Sequence, residues 1–408
     1  MARGAPEEGH DPTRREFFRT FSRQTVRNAG AVVGAANELQ RSSLAAAREL
    51  LELPEPVSAA GPRPLAADPI ASEPASDFRS AYRSTGEAIV LLDQRVLPGR
   101  VATIEAREPN DLASAIRQGV MTPGPVLGEV AAHGISLAAA TAAARDRSAA
   151  SLEQRVRAAA GTLRAARRDV GALVAAVDRM EGRFDVLAAR GATPDEIADG
   201  LAAEADAIAL AAAAAHAQIG RLAATVLTHA RSDGAPTGAR TDAQLTRPLN
   251  VLLHGDSGPL TCGLVGMSTA CFRALIDAGM DLHVWVTAGA PSNEGARITA
   301  YQLAQSDVPS TVIPDTAVGW LLANGPIDAV LLRGDAVARN GDVAALVGAL
   351  QVAQMARTAG VPVLVLAARV SVEPELSDLR GLLPHTGVPV ADIVPAALIS
   401  SVVTEEPG

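Results

Sequence analysis

From Leu249 onward, short apolar runs alternate with polar, glycine-containing turns and with longer helical stretches. The apolar runs do not alternate with polar residues, so they are typical of strands that are covered on both faces. Because a helical stretch follows most of these runs, the pattern predicts a Rossmann-like parallel sheet with helices on both sides. An uninterrupted helix is expected from Val343 to Thr358. The expected strands are 250–253, 283–286, 310–313, 329–332 and 361–366.

The part of the chain before this sheet is dominated by helical periodicity. A short strand is expected at 88–92, and apolar residues recur with the helical period from 151 to 230. A break is expected at 191–194, because Thr193 is a good cap for the helix that Pro194 begins. This part therefore predicts an α-rich domain that carries a small sheet.

Changes in composition divide the chain. A polar, turn-rich stretch at 231–248 indicates a domain boundary, and six prolines between 54 and 78 indicate a linker. The predicted fold class is α/β. The predicted organisation is an amphipathic helical extension at 1–53, a proline-rich linker at 54–79, an α-rich domain with a small sheet at 80–245 and a Rossmann-like domain at 246–408.

The amino-terminal extension allows two interpretations. Residues 13–19, Thr-Arg-Arg-Glu-Phe-Phe-Arg, are similar to a twin-arginine export signal, but the apolar run at 29–36 is short and interrupted by glycine. The stretch 14–52 is better described as an amphipathic helix that binds a partner, a membrane surface or the body of the protein. On the second interpretation the protein is expected in the cytoplasm.

The composition excludes several classes of function. The formal net charge is −9 and aromatic residues make up 2% of the chain, so no nucleic-acid partner is expected. All 36 basic residues are arginine, which excludes a Schiff-base lysine and a P-loop lysine. Cys262 and Cys271 fit neither a zinc nor a disulfide pattern and are expected to be buried core thiols. We expect no metal and no organic cofactor.

Polar turns follow the expected strands. In a doubly wound parallel sheet, ligands bind beyond the carboxyl ends of the strands. The turns at these ends are 254–258, 287–297, 314–316 and 333–342, and they are expected to converge on one cleft.

Four segments point to a family. They are LLDQRVLP at 91–98, EGARITA at 294–300, GDAVARNGD at 334–342 and PAALISSVVTE at 395–405. In this order they resemble segments of the methylthioribose-1-phosphate isomerase family and its relatives, ribose-1,5-bisphosphate isomerase and the regulatory subunits of eukaryotic initiation factor two B. The resemblance covers about residues 87–408.

The resemblance implies isomerisation of a phosphorylated sugar in methionine salvage, and a homodimer formed through the Rossmann-like domain. It places the family's acid/base carboxylate at Asp335. It also shows departures, because Gly255 stands where the family has its catalytic thiol, Thr122 where it has an arginine that faces phosphate, and Glu294 where it has glutamine. These losses favour the alternative of a catalytically inactive homologue that binds a metabolite or a protein.

The chemistry of isomerisation requires a base near the carbon beside the carbonyl group and an acid near the oxygen. Asp256 and Asp335 follow neighbouring strands, and we expect them to face each other across one dry crevice, with like-charge repulsion raising one pKa. These two are the expected catalytic residues. The expected substrate-binding residues are Gly255, Ser257, Gly258, Thr122, Gly124, Glu294, Arg297, Asn340 and Asp342.

Plainer roles remain open for the same residues. Asp256 and Ser257 are also suited to cap the helix that follows them. Asp335 is suited to stabilise a glycine-rich turn, and Arg297 to form a solvated ion pair. His254, next to a strand end, is expected to be a packed, hydrogen-bonded side chain.

Overall fold

A computed structural model describes residues 80–145, 148–233, 247–373, 375–376, 379 and 391–405. These residues belong to one compact unit, which spans 67–408. The predicted extension at 1–53, the linker at 54–79 and the export-like motif at 13–19 lie outside the described residues, and so does the predicted boundary at 245. The division into two domains therefore stays a prediction.

The amino-terminal half of the described chain is a small antiparallel sheet with a layer of helices. The sheet has the order β1-β2-β3, and its strands are Tyr82–Ser84, Ile89–Leu92 and Thr103–Ala106. The helices are α1 (Pro109–Arg117), α2 (Val126–Arg145), α3 (Ala149–Ala166), α4 (Gly171–Ala189) and α5 (Pro194–Asp233).

The break before α5 is where the sequence predicts it. The Thr193 hydroxyl accepts a hydrogen bond from the Glu196 main-chain N–H at 3.3 Å, and the Glu196 carboxylate accepts one from the Thr193 N–H at 2.7 Å. Such a reciprocal cap satisfies N–H groups that a helix start leaves unpaired. A second break, at 167–170 between α3 and α4, is not apparent from the helical period alone.

Helix α2 is the centre of this layer. Its length and apolar composition would allow it to span a membrane, but most of it is buried against α3, α4 and α5. Because many of its side chains are alanine, the neighbouring helices can pack close to its axis. The helices share one apolar core with the small sheet. A long apolar helix of this kind is thus the core helix of the layer.

In the described residues, six strands form the predicted parallel sheet, in the order β13-β10-β7-β4-β5-β6. Apolar side chains pack on both faces of it, as the unbroken apolar runs predict. The strands are β4 (Leu249–His254), β5 (Leu282–Thr287), β6 (Ser310–Ile313), β7 (Ala329–Arg333), β10 (Val363–Leu366) and β13 (Ser401–Val403). The helices between them are α6 (Pro259–Cys262), α7 (Met267–Asp277), α8 (Ala300–Gln305), α9 (Val318–Asn324) and α10 (Ala349–Ala359).

The predicted helix from Val343 to Thr358 is wrong in its first part. Val343–Leu346 is strand β9, which pairs with β8 (Ala336–Ala338) and with β12 (Ala391–Val394). With β11 (Val372–Glu373) these strands form a third sheet, which has four strands among the described residues. Gly341, at φ +84°, makes the turn between β8 and β9. The helix begins only after Gly348, because the pairing with β12 overrides the local pattern.

Candidate active site

The strand order places a switch point between β4 and β7. From β4 the chain adds β5 and β6 on one side, and from β7 it adds β10 and β13 on the other side. Ligands of doubly wound sheets bind in the crevice at such a point. Asp256 follows β4 by two residues, and Arg333 is the last residue of β7, with Asp335 just beyond it. The predicted convergence of these two turns therefore has a structural basis.

Asp256 lies inside this crevice with no exposed surface. Its carboxylate accepts hydrogen bonds from the hydroxyl groups of Thr261 and Thr299, the latter at 2.9 Å, and from the side-chain amide of Gln302 at 2.8 Å. Three donors hold it, as buried carboxylates require. Asp256 thus joins the turn after β4 to the helical segment that begins at 295.

Asp335 occupies a different environment. Its side chain is 39% exposed, and its carboxylate accepts hydrogen bonds from Arg333 Nε at 2.8 Å and Nη2 at 3.4 Å. Arg333 also donates through Nη1 to the main-chain oxygen of Asp256 at 2.6 Å. The expected pair of carboxylates facing each other in a dry crevice is therefore not what the structure shows, because a buried arginine binds to both residues and only Asp256 is enclosed.

Arg333 is a central residue that the sequence reasoning did not identify. Its side chain is 6% exposed. Burial opposes its charge, but the surrounding carboxylates of Asp335 and Glu294 raise its pKa. The available signal was an arginine that ends an otherwise apolar, buried strand, since such a charge is stable only with partners.

Glu294 is the carboxyl group of this site with a raised pKa. Burial is the largest cause; the positive charges of Arg333 and Arg297 oppose it, while Asp256 and Asp335 act in the same direction as burial. A carboxyl group in such surroundings keeps its proton to a higher pH than an exposed glutamate. The site therefore holds an exposed carboxylate, Asp335, and a carboxyl group with a raised pKa, Glu294, and the charges of both act on Arg333.

Arg167 reaches the same site from the helical layer. It lies between α3 and α4, and its guanidinium donates to both carboxylate oxygens of Asp169, at 2.8 and 2.6 Å. Asp169 is the main cause of its raised pKa, and Asp335 and Glu294 act in the same direction. The sequence reasoning missed Arg167 because it lies far along the chain from Asp335 and Glu294, whose charges act on it.

Arg297 connects the segment after β5 of the six-stranded sheet to the segment after β2 of the small sheet. It lies in a π-helical turn, Gly295–Thr299, and its Nη1 donates to the main-chain oxygens of Gln94, Arg95 and Leu97 at 3.1–3.2 Å. It therefore binds protein rather than forming the solvated ion pair that was one of its expected roles.

The glycines of the site make room for protein groups. A Cβ on Gly258 would lie 2.4 Å from the Gln302 side chain, and one on Gly124 would lie 2.3 Å from the Thr261 side chain. Gly255 has φ +81°, which directs the main chain from β4 into the turn. These expected ligand residues are thus also needed for the hydrogen bonds around Asp256.

The remaining predicted residues lie in several places. Thr122 is buried and donates its main-chain N–H to Gln94 at 2.8 Å, while the buried hydroxyl of Ser257 has no partner among the described residues. Asn340 and Asp342 are hydrogen-bonded to each other at the far end of the β8–β9 hairpin from Asp335, and Asp342 also accepts the Ala396 N–H at 2.9 Å. The structure does not bring these two residues to Asp335.

His254 and the thiols are packed groups. The His254 ring lies 2.8 Å from the Thr287 hydroxyl and 3.1 Å from the Val347 main-chain oxygen, and burial lowers its pKa. Burial raises the pKa of Cys262 and of Cys271 to about 12. Within the described residues, no group of three His, Cys, Asp or Glu side chains is placed to hold a metal ion.

Comparison with known proteins places this chain in a family. The model of the Initiation factor 2 subunit family matches residues 125–380. The chain belongs to this family. Among its relatives, the methylthioribose-1-phosphate isomerase of Anaeromyxobacter dehalogenans is 31% identical over 79% of this chain and 91% of the relative. That of Herpetosiphon aurantiacus is 28% identical over 78% of this chain and 90% of the relative.

Two solved structures have a fold similar to that of this chain. The 5-methylthioribose 1-phosphate isomerase of Pyrococcus horikoshii OT3 has a TM-score of 0.66 and 21% identity, covering 80% of this chain and 91% of its own. The translation initiation factor eIF-2B subunit delta from A. fulgidus has a TM-score of 0.63 and 21% identity, covering 80% and 94%. At these identities the likeness concerns the fold, and it confirms the predicted α/β class.

Proposed function

We propose that this protein is an aldose–ketose isomerase that acts on a sugar 1-phosphate. The observation that carries the proposal is the arrangement of Asp335 and Glu294 around Arg333 at the switch point of the sheet. The relatives named methylthioribose-1-phosphate isomerase support the reaction class and make methylthioribose 1-phosphate the first substrate to test.

In the proposed reaction, the carboxylate of Asp335 takes the proton from carbon 2 of the sugar. The electrons of the broken C–H bond form a double bond between carbons 1 and 2, the bond between carbon 1 and the ring oxygen breaks, and Glu294 gives its proton to that ring oxygen. The product of this step is an open-chain enol that keeps the phosphate on carbon 1 and a hydroxyl group on carbon 2. Asp335 then returns its proton to carbon 1, and Glu294 recovers one from the hydroxyl group on carbon 2. No proton is consumed overall. The raised pKa of Glu294 suits a group that must begin the reaction protonated.

Each of the other groups has a role that follows from its place. Arg167, whose pKa is raised in part by the charges of Asp335 and Glu294, is the proposed ligand of the phosphate group. Arg333 holds Asp335 in position, and the main chain of Gly255–Gly258 forms the wall of the site. Asp256 is a positioning residue rather than an acid or a base, because its carboxylate is enclosed and held by three donors.

The second candidate function is a non-catalytic homologue that binds a phosphorylated metabolite. The observation that favours it is the absence of a thiol at Gly255. Cys262, on the helix that follows this turn, does not replace that thiol, since it is fully buried and its pKa is about 12. The proposed homodimer and the cytoplasmic location remain predictions for either function.

The deciding experiment incubates the full chain with methylthioribose 1-phosphate and follows the ketose by NMR. Turnover that is lost in Asp335→Asn but kept in Asp277→Asn, an exposed surface control, supports the isomerase. Calorimetric binding without turnover, lost in Arg167→Met, supports the non-catalytic homologue. If neither turnover nor binding is detected at millimolar concentration, both proposals are wrong.

A further inference from the structure

Residues 263–266 link α6 to α7 and lie against the buried carboxyl group of Glu129, on α2. Gly263 is buried, but the next residue, Leu264, is 44% exposed. A Cβ on Gly263 would lie 1.9 Å from Glu129 Oε1, so only glycine leaves room for the carboxyl group at this position. This short surface segment therefore covers the carboxyl group.

The carboxyl group of Glu129 has few partners for a group so deeply buried. The residue is 1% exposed; its Oε2 accepts a hydrogen bond from the Tyr82 hydroxyl at 2.9 Å, whereas its Oε1 has no partner among the described residues. In the part of the chain that the structure describes, no arginine pairs with it. Burial without a positive partner makes the protonated form the stable one, and a carboxylate ion here would need water.

Glu129 loses its proton at a pH where its buried neighbours keep their charge state. Burial raises its pKa from 4.5 to about 8, and the hydrogen bond from Tyr82 opposes this rise. Burial lowers the pKa of His133 and of His216, raises that of Tyr82, and raises that of Cys262 to about 12. Between pH 6.5 and 8 these four groups therefore stay neutral while Glu129 begins to ionise. The other charged groups nearby are Asp206, which acts on Tyr82, and Arg179 and Glu405, which line a cleft that Glu129 also borders.

Segment 263–266 is held by hydrogen bonds at Gly263 and at Val265. The Gly263 N–H donates to the Pro259 main-chain oxygen at 2.9 Å, and the Val265 main-chain oxygen lies 3.0 Å from Nδ1 of His216, on α5. A surface segment of this kind opens locally at a lower cost than the core of a protein. Water admitted by such an opening would reach the carboxyl group of Glu129.

The segment is continuous with the short helix α6, which holds Asp256. The Thr261 hydroxyl of this helix donates to the Asp256 carboxylate, and the Cys262 N–H donates to the Gly258 main-chain oxygen at 2.9 Å. Displacement of Gly263 would therefore unwind α6 from its carboxyl end and loosen the turn around Asp256.

We propose that Glu129 and Gly263 form a pH-sensitive latch, which keeps segment 263–266 closed while the carboxyl group is protonated and lets it open to water as the pH rises toward 8. The closed state holds a proton that the open, hydrated carboxyl group releases, so closure is strongest at low pH and weakens up to about pH 8. The latch does not depend on the isomerase proposal, because it involves none of the proposed catalytic groups.

Hydrogen exchange of the full chain measures the latch at the Cys262 and Gly263 amides, after correction for the intrinsic dependence of exchange on pH. Their protection factors are expected to fall about tenfold between pH 6.5 and 8 in the native chain. Glu129→Gln, which is neutral at every pH, should keep these protection factors constant to within about twofold over the same range. Glu153→Gln, at an exposed carboxylate on α3, should follow the native chain.

Tyr82→Phe distinguishes a latch from simple loosening of the fold. Loss of the hydroxyl that donates to Oε2 raises the pKa of Glu129 further, so protection should keep falling above pH 8, where that of the native chain levels off. A purely structural effect would lower protection equally at every pH. Protection that does not change with pH in the native chain, an equal fall in Glu129→Gln, or levelling off of Tyr82→Phe at the same pH as the native chain would each overturn the proposal.

Discussion

Arg333 and Asp256 are joined at the switch point of the sheet by a hydrogen bond of 2.6 Å, from the guanidinium Nη1 to the main-chain oxygen of the aspartate. The same guanidinium binds the carboxylate of Asp335. One buried cation therefore fixes the turn after β4 and the turn after β7 relative to each other.

Arg333→Met is expected to lower the free energy of unfolding by about 2–3 kcal/mol, because the main-chain oxygen of Asp256 loses its donor and Glu294 loses the positive charge that acts on it most strongly. The matched control is Arg273→Met, which removes an exposed pair with Asp277 and should change stability by less than about 0.5 kcal/mol. Urea unfolding of both variants measures the difference. Equal stability of the two would show that Arg333 has no role in holding the turns.

Gly258→Ala is expected to destabilise the protein by about 1–3 kcal/mol, because its Cβ would displace the Gln302 side chain. Gln302 donates to Asp256 and accepts the Leu260 N–H at 2.7 Å, so both bonds are affected. Gly182→Ala, on α4 with open space around the new Cβ, should instead stabilise by about 0.5–1 kcal/mol. Thermal unfolding of the pair checks the opposite signs.

The thiols are expected to be unreactive in the folded protein. Cys262 and Cys271 are fully buried, and their pKa of about 12 leaves almost no thiolate at neutral pH. A thiol reagent such as DTNB should therefore label both only after denaturation, and Cys262→Ser should keep any turnover that the native chain shows. Rapid labelling of the native protein with loss of turnover would instead reveal a thiol mechanism.

Stability is expected to fall as the pH rises toward 8, because of Glu129. Its pKa is raised from 4.5 to about 8, mainly by burial, so the folded state holds a proton that the unfolded state has released. The contribution of the protonated Glu129 to the free energy of unfolding is complete below pH 4.5 and is lost by pH 8. Burial lowers the pKa of His216 from 6.5 to about 4, so between these pH values His216 makes the free energy of unfolding rise with pH. The effect of Glu129 is therefore clearest between pH 6.5 and 8, where His216 no longer contributes a change.

Glu129→Gln tests this prediction directly. In that window its free energy of unfolding should fall with pH less steeply than that of the native chain, by on the order of 1 kcal/mol per pH unit. Glu153→Gln, at an exposed position, should follow the native curve. Parallel curves for Glu129→Gln and the native protein would place a normal pKa at Glu129.

The sheet was predictable from sequence because its strands are short, continuous apolar runs separated by turns, as at 329–332. Val343–Leu346 was not, because its apolar residues continue into a true helix and its strand partner lies far along the chain, at Ala391–Val394. Local pattern carries no information on such distant pairing.

The site was predictable only in part, for a similar reason. Motif positions identified Asp335, Asp256 and Glu294, but not how buried each one is. Arg333 was hidden by its place at the end of an apolar strand, and Arg167 by its distance along the chain from Asp335. Asp256 is enclosed, Asp335 is exposed, and burial raises the pKa of Glu294; these differences depend on tertiary packing, so they became visible only in three dimensions.

The three bonds from Arg297 to the turn at 94–97 bear on how a ligand enters. A hinge motion that swung the helices away from this edge of the sheet would have to break all three bonds together. Because the side chain of Asp335 is 39% exposed, a ligand can reach its carboxylate while all three bonds stay formed. Release of a product would then not have to wait for separation of the two parts of the chain.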